Sequence, residues 1–193
     1  MEGLLPASRG NPSDAEAIAQ SLKEPSAFAT VFERHFSLVH RFLCVRAGVD
    51  PAADLASETF AIAFRRRADY DIERPDARPW LLGIAVNLVR QAWRSERRLN
   101  RALARLAGER VFHPGGPETG QEQDGRLATL HEVLDQLSGD DRDLLLLFAC
   151  MDFTYEQIAE TMSLPIGTVR SRVHRLRKKL RSQLSEAARE VGV

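Results

Sequence analysis

The segment FTYEQIAETMSLPIGTVRSRVHRLRKKL, residues 153–180, determines the fold of the second half of the chain. Thr154 and Gln157 have the spacing of a capping box, which predicts that a short helix begins here. Residues 163–165 end that helix. In the helix that follows, apolar residues recur at steps of four, three and four: Val169, Val173, Leu176 and Leu180. Two short helices joined by a tight break form a helix-turn-helix.

The outward face of the second helix is polar and mostly basic, and seven of its side chains can bind phosphates or base edges: Thr168, Arg170, Ser171, Arg172, His174, Arg175 and Lys178. An α-helix fits the major groove of B-DNA, where its N-terminal side chains reach base edges. A solvated basic helix is the alternative. However, the capped first helix, the small Ala159, the break and the basic second helix occur together in the expected order. The segment therefore predicts DNA binding.

Upstream of this motif, apolar residues with helical spacing predict the rest of a small core: Leu127, Leu130, Val133, Leu134 and Leu137. Ser138 to Asp140 should open another helix, which carries the apolar run at 144–149. Glycine and proline break any period from Ala107 to Gly125. We therefore interpret 101–125 as a flexible linker and 126–193 as a C-terminal domain.

The first half has the pattern of a second all-helical domain, residues 25–100, behind a mobile tail at 1–24. One amphipathic helix should run from Phe28 to Gly48, and the next from Asp50, as its N-cap, to Arg67. Asp76 can cap a third helix. Its buried stripe would be Leu81, Ile84, Ala85, Leu88 and Ala92, leaving Asn87, Arg90, Gln91 and Arg94 outward. The fold class is thus all-α, with two small helical domains.

Composition restricts the function further. The 27 basic and 27 acidic residues cancel, but the charge is segregated into two basic patches, at 90–105 and 170–181. No run approaches the roughly 18 apolar residues of a membrane span, so we expect a cytoplasmic protein. Cys44 and His40 share a helix face, but two ligands without a third do not make a zinc site. We expect no metal and no cofactor.

Three stretches resemble the extracytoplasmic-function (ECF) sigma factors of bacterial RNA polymerase. DLASETFAIAF, residues 54–64, is similar to the family helix that grips the largest polymerase subunit. The resemblance implies that Asp54, Glu58 and Phe60 bind core RNA polymerase. GTVRSRVHRLRKKL, residues 167–180, is similar to the helix that reads the minus-35 promoter element, which implies that role for the seven side chains named above. A glycine common in the turn of the family is Ser163 here.

The third stretch, RPWLLGIAVNLVRQAWR at residues 78–94, is similar to the family helix that recognises the minus-10 element. By resemblance, Asn87, Arg90, Gln91 and Arg94 would face DNA. The loop at 69–74 would capture a base flipped out of the non-template strand, with Tyr70 as a stacking face.

The resemblance implies a non-enzymatic factor that binds core polymerase and promoter DNA, directs initiation and assists promoter melting. It also implies that the domains can fold back on each other and that an anti-sigma factor binds them. Two other interpretations stay open. A free-standing repressor or activator would use only the helix-turn-helix, leaving 54–64 and 78–94 without a role. A nucleic-acid enzyme would have to use Asp54 and Glu58 for catalysis.

Overall fold

The computed structural model describes residues 12–107 and 137–190, and all regular structure within them is helical. The α-helices, in chain order, are α1 Asp14–Ser21, α2 Ala29–Ala47, α3 Val49–Arg65, α4 Arg78–Ala107, α5 Gly139–Ala149, α6 Tyr155–Met162 and α7 Ile166–Glu190. Short 3-10 turns at Pro25–Phe28 and Arg67–Asp69 precede α2 and follow α3. The prediction of an all-α fold is confirmed.

Helices α1 to α4 form the first region, and its core lies where α2, α3 and α4 pack together. Helix α3 contributes small residues, Ala52, Ala56 and Ala63, which allow the larger side chains of α2 to approach closely. Helix α4 buries the predicted residues Leu81, Ile84, Ala85 and Leu88, but Ala92 is exposed. It also buries Leu82, Val86 and Val89. Helix α4 is therefore covered on two sides, since it contacts α6 as well as α2 and α3.

The prediction of a mobile tail at 1–24 is wrong for the second half of that range. Residues 14–21 form α1, which begins with a capping box between Ser13 and Glu16 and buries Ala17 and Ile18. Helix α1 is held against the rest of the fold by Asp14, which is only 4% exposed and binds groups from two other parts of the chain. Residues 1–11 lie outside the described part of the chain.

The corner between α2 and α3 also differs from the prediction. Helix α3 begins at Val49, so Asp50 lies within its first turn and is not the N-cap. Gly48 takes that position with φ 93°, a conformation that glycine adopts without strain. This glycine lets one helix follow the other with a single residue between them.

The predicted linker begins later than expected. Helix α4 continues to Ala107, so residues 101–107 are helical, because the glycine-rich composition starts only at Gly108. The remainder of the predicted linker and the predicted stripe from Leu127 to Leu134 lie outside the described residues. The linker's flexibility therefore remains a prediction.

Helices α5 to α7 form the second region. Ser138 caps α5 by accepting from the Asp141 amide, as predicted, and Leu144, Leu146 and Leu147 are buried. The second region packs onto α4 of the first, mainly through α6. The predicted folding back of one region on the other is therefore the arrangement in this structure.

Candidate nucleic-acid interfaces

The helix-turn-helix is formed by α6 and α7. Thr154 accepts from the Gln157 amide at 3.2 Å, while the Gln157 side chain accepts from the Thr154 amide at 3.0 Å, completing the predicted capping box. Ser163 ends α6 in the left-handed conformation, with φ 53° and ψ 46°. A turn residue in this conformation is usually glycine. Serine therefore fits the turn at some cost in strain.

The basic face of α7 points to solvent. Val169, Val173 and Leu176 are buried, as their spacing predicts, so the opposite side of the helix is open. Of the seven predicted DNA-binding residues, five are exposed and two are half-buried: Arg170, Ser171, His174, Arg175 and Lys178, then Thr168 and Arg172. Arg170 pairs with Glu156 of α6 at 3.6 Å, but both side chains are largely exposed. A surface pair of this kind is weak. The face is therefore free to meet a phosphate backbone.

Helix α4 presents a second polar face, but one of its cations is already paired. Asn87, Gln91 and Arg94 are exposed, as predicted. Arg90 is half-buried and donates to two carboxylates of α5, Asp140 at 3.0 Å and Asp143 at 3.3 Å. The structure thus brings three of the four predicted residues together on an open surface and holds the fourth against the second region.

The loop before α4 is built around a buried tyrosine. The Tyr70 ring lies 4.9 Å from Trp80, centroid to centroid, and its hydroxyl donates to the Arg74 carbonyl oxygen at 2.6 Å. Burial, with the nearby carboxylates of Asp14, Asp76 and Glu160, raises the pKa of Tyr70. The stacking face expected of Tyr70 is therefore covered in this structure. Ile72, in contrast, is 61% exposed at the tip of the same loop.

The acidic helix α3 presents Asp54 and Glu58 to solvent, one helical turn apart. Phe60 is only 4% exposed, because it lies on the same stripe as Ala56 and Ala63. Its ring meets Phe32 of α2 edge-on at a centroid distance of 4.9 Å. Phe32 is 41% exposed, so the aromatic surface beside the two acids comes from α2.

Two buried charged residues that the sequence did not predict join the regions. Arg46 of α2 and Asp143 of α5 form an ion pair in which each side chain is 1% exposed. The Arg46 guanidinium also lies over the Trp93 ring, 3.9 Å from its centroid. Burial raises the pKa of Asp143, and the attraction of Arg46 and Arg90 opposes that shift. Ninety-seven positions separate the pair, so no local pattern could have indicated it.

A second set of contacts joins α6 to the start of α4. Glu160 pairs with Arg74, and the Gln157 side chain donates to Asp76 at 2.9 Å. At Gly83, a Cβ would lie 3.1 Å from the Thr161 carbonyl oxygen. That is closer than ordinary van der Waals contact, so a larger residue at position 83 would push the two helices apart by a few tenths of an ångström.

Asp14 is a further buried group that sequence reasoning missed. It accepts from the ring nitrogen of His35, from the Ala77 amide and from the side chain of Arg34. Burial opposes its charge, but these hydrogen bonds prevail and lower its pKa to about 2. Ala77 immediately precedes α4, so Asp14 ties α1 to the start of that helix. The Ser13 to Glu16 spacing was the sequence signal that could have revealed α1.

Among residues 12–107 and 137–190, no three His, Cys, Asp or Glu side chains are grouped so that they could hold a metal ion. The predicted neighbours His40 and Cys44 are in contact, with Nδ1 and Sγ 3.6 Å apart. In the same ranges, no helix combines the length and the apolar character that a membrane crossing requires.

Family comparisons match both regions. The family model of Sigma-70 region 2 matches residues 31–99, and that of Sigma-70 region 4 matches residues 127–180. The chain is 32% identical over 170 residues to RNA polymerase sigma factor CarQ of Myxococcus xanthus, covering 86% of this chain and 94% of CarQ. It is 32% identical over 145 residues to ECF RNA polymerase sigma factor EcfG of Rhodopseudomonas palustris, covering 74% and 76% of the two chains.

Solved structures show the same fold. CnrH in complex with the cytosolic domain of CnrY aligns with a TM-score of 0.62 at 25% identity, covering 90% of this chain and 97% of CnrH. The sigma factor RpoE of Bartonella quintana, in complex with the anti-sigma factor NepR, aligns with a TM-score of 0.63 at 23% identity, covering 83% and 98%.

Proposed function

The chain belongs to the ECF sigma factors, which direct promoter-specific transcription initiation by RNA polymerase, and from this premise we propose which of its surfaces performs each step. The proposal takes residues 14–107, helices α1 to α4, as the polymerase-binding and minus-10 domain and 126–193 as the minus-35 domain. The observation that carries it is the separation of three exposed polar faces, on α3, α4 and α7. A free-standing repressor would need only the last of them.

Core polymerase binds the α3 face. Asp54 and Glu58 are exposed acids one turn apart and suit a basic partner surface. Phe60 is buried beneath this face and contributes to it by packing against the partly exposed Phe32 ring. Asp54 and Glu58 serve docking, and the factor itself carries out no catalysis. Because it works on polymerase, its place of action is the cytoplasm.

The minus-35 element binds the exposed face of α7. Arg170, Ser171 and Arg175 lie on this face in the N-terminal half of the helix. Side chains early in a recognition helix reach base edges, while more distant cations bind phosphates. Thr168, Arg172, His174 and Lys178 complete this surface. Each phosphate that the helix neutralises adds a salt-sensitive contribution to affinity.

The minus-10 element binds α4 and the loop before it, through Asn87, Arg90, Gln91 and Arg94. Trapping an unstacked base offsets the few kcal/mol that unpairing costs, so melting needs no nucleotide hydrolysis. To stack on a flipped base, the Tyr70 ring must turn away from Trp80. The exposed Ile72 offers the other apolar surface of the loop.

An anti-sigma factor is the proposed regulator. Of the two structural relatives described above, the sigma factor RpoE was solved with the anti-sigma factor NepR, and CnrH was solved with the cytosolic domain of CnrY. The present chain shares their two-region fold, which supports a protein partner of this kind.

The test is run-off transcription with purified core polymerase on promoters selected from random DNA. The wild-type chain should restore specific initiation. Asp54→Asn/Glu58→Gln should weaken core binding about tenfold or more, because neutralising one charged side chain at an interface costs on the order of 1 kcal/mol. Glu24→Gln/Asp152→Asn removes the same charge from exposed positions outside the three proposed faces and should leave core binding unchanged. If both pairs of substitutions behave alike, α3 is not the docking surface.

A further inference from the structure

Helix α1 touches both ends of the loop that the proposed function assigns to base capture. At the C-terminal end of α1, the Ser21 carbonyl oxygen accepts from the Arg67 side chain at 3.3 Å, just after α3. At its N-terminal end, Asp14 accepts from the Ala77 amide at 2.9 Å, directly before α4. One short helix therefore spans residues 67–77, which we call the capture loop.

The contact at Ala77 supplies what the sequence of α4 lacks. Ala77 is the N-cap of this helix, since its carbonyl oxygen accepts from the Leu81 amide at 2.9 Å. In a capping box, the side chain three residues after the N-cap binds the N-cap amide. That residue is Trp80 here, whose indole has no acceptor. Asp14, which lies 63 positions earlier in the chain, takes its place.

Asp14 is itself held by α2, so it forms a fixed anchor. It is 4% exposed, and its carboxylate also accepts from His35 at 2.7 Å and from Arg34. Arg34 donates in addition to the Pro12 carbonyl oxygen at 2.8 Å, which holds the start of α1 against α2. This anchor of the capture loop therefore belongs to the core of the first region.

Arg67 is the second anchor, at the start of the capture loop. Its half-buried side chain donates to the carbonyl oxygens of Ser21 and Phe64, and its guanidinium lies over the Phe64 ring, 4.0 Å from the centroid. The rise of an α-helix places the Cα atoms of residues 14 and 21 roughly 10 Å apart. Helix α1 therefore fixes the span between the two ends of the loop.

Between the anchors, the tip of the capture loop is open to solvent. Residues 71–75 are all exposed, and the Arg74 amide closes a turn among them by donating to the Asp71 carbonyl oxygen at 3.0 Å. Tyr70 packs inward against Trp80, with ring centroids 4.9 Å apart. A loop whose ends are fixed before binding loses less conformational entropy when it takes up a ligand. The capture loop thus combines fixed ends with an accessible tip.

We propose that α1 is a positioning element for base capture, which holds both ends of the capture loop so that its tip meets the flipped base in a preformed shape. Asp14 and Arg67 are the positioning residues. This inference rests on the proposed function for the role of the loop. It predicts that cutting either anchor removes the contribution of the captured base to DNA affinity, while the contacts made by the exposed face of α4 persist.

The experiment uses holoenzyme assembled from core polymerase and the full-length chain. The probe is a fluorescently labelled single-stranded oligonucleotide with the non-template sequence of a minus-10 element selected from random DNA. A set of oligonucleotides, each with one abasic site, identifies the captured base as the position whose loss weakens wild-type binding most. The ratio of the two dissociation constants, abasic over intact, is called the base penalty.

Asp14→Ala cuts the anchor at the end of the capture loop, and Arg67→Met cuts the anchor at its start while keeping an unbranched side chain. The matched control for the first is Glu16→Gln, which removes an exposed acid from α1 and keeps a side chain suited to its capping box. The matched control for the second is Arg66→Met, which removes the exposed neighbouring cation. Circular dichroism reports folding, and if Asp14→Ala is unfolded, Arg67→Met decides.

We expect a base penalty of about tenfold for the wild-type chain, the size that stacking of one base contributes. In the two anchor variants the base penalty should fall to about twofold or less, because a loop with free ends must be ordered during binding. Both controls should keep the wild-type base penalty, even where the charge change shifts overall affinity. A purely structural role for α1 would instead weaken the intact and abasic probes equally.

The proposal is overturned if a folded anchor variant keeps the wild-type base penalty, or if the controls lose it as fully as the anchor variants. Run-off transcription is measured in parallel. If the wild-type chain initiates specifically but shows no base penalty at any position, this inference fails while the proposed role in initiation stands. If the wild-type chain does not initiate, the proposed function fails and the inference falls with it.

Discussion

Replacing Asp14 with asparagine tests whether α1 is an integral part of the first region. The Asp14 carboxylate accepts from His35, Ala77 and Arg34 while only 4% exposed, and its pKa is lowered from 3.8 to about 2. A carboxyl group whose pKa falls on folding stabilises the folded state at pH values above its unfolded pKa. The difference here corresponds to about 2 kcal/mol at neutral pH. For a chain of this size, that is a fall of about 4–8 °C in Tm.

The assay is urea denaturation of wild type and Asp14→Asn across a pH series. At neutral pH the two free energies of unfolding should differ by about 2 kcal/mol. As the pH falls below 3.8 toward 2, Asp14 becomes protonated in the folded chain as well, so the difference should shrink. Asp69→Asn is the control, because it breaks an exposed pair with Arg66 at 3.5 Å. That pair should be worth less than about 1 kcal/mol. Equal losses in the two variants, or a difference that persists in acid, would refute the reasoning.

Three further predictions concern the helix-turn-helix. Ser163→Gly should raise stability by about 0.5–1 kcal/mol, because glycine relieves the left-handed conformation at φ 53°; a loss of stability in thermal unfolding would contradict this. Thr154→Ala should cost about 1 kcal/mol by removing the N-cap acceptor of α6, measured in the same way. Arg170→Ala and Arg175→Ala should each reduce the slope of log affinity against log salt by about one in minus-35 duplex binding, and an unchanged slope would place that side chain away from phosphate.

The helices were predictable from the sequence where one face is apolar over several turns. The spacing of Val169, Val173 and Leu176 indicated the correct face of α7, and the exposed Arg175 follows from it. Helix α1 was missed because it has only eight residues, too few to be stable alone. Its order comes from contacts with residues 34, 35 and 77.

The candidate interfaces were predictable in outline, by helix periodicity and by resemblance, but not in their internal pairing. Periodicity places Arg90 on the outer face of α4 but cannot show that Asp143, far along the chain, reaches it. Likewise, the pattern around Phe60 shows apolar residues on two faces of α3 without showing which face is buried. Long-range packing decided both cases.

The central claim is that α4 and α7 read one promoter together while core polymerase holds the chain. The most direct measurement is site-specific photocrosslinking, from a benzoylphenylalanine placed at Gln91 or at Ser171, to promoter DNA with and without core polymerase. With core polymerase, the probe at Gln91 should crosslink to the minus-10 element and the probe at Ser171 to the minus-35 element of the same promoter. Crosslinks from Ser171 alone, whether or not polymerase is present, would contradict the claim.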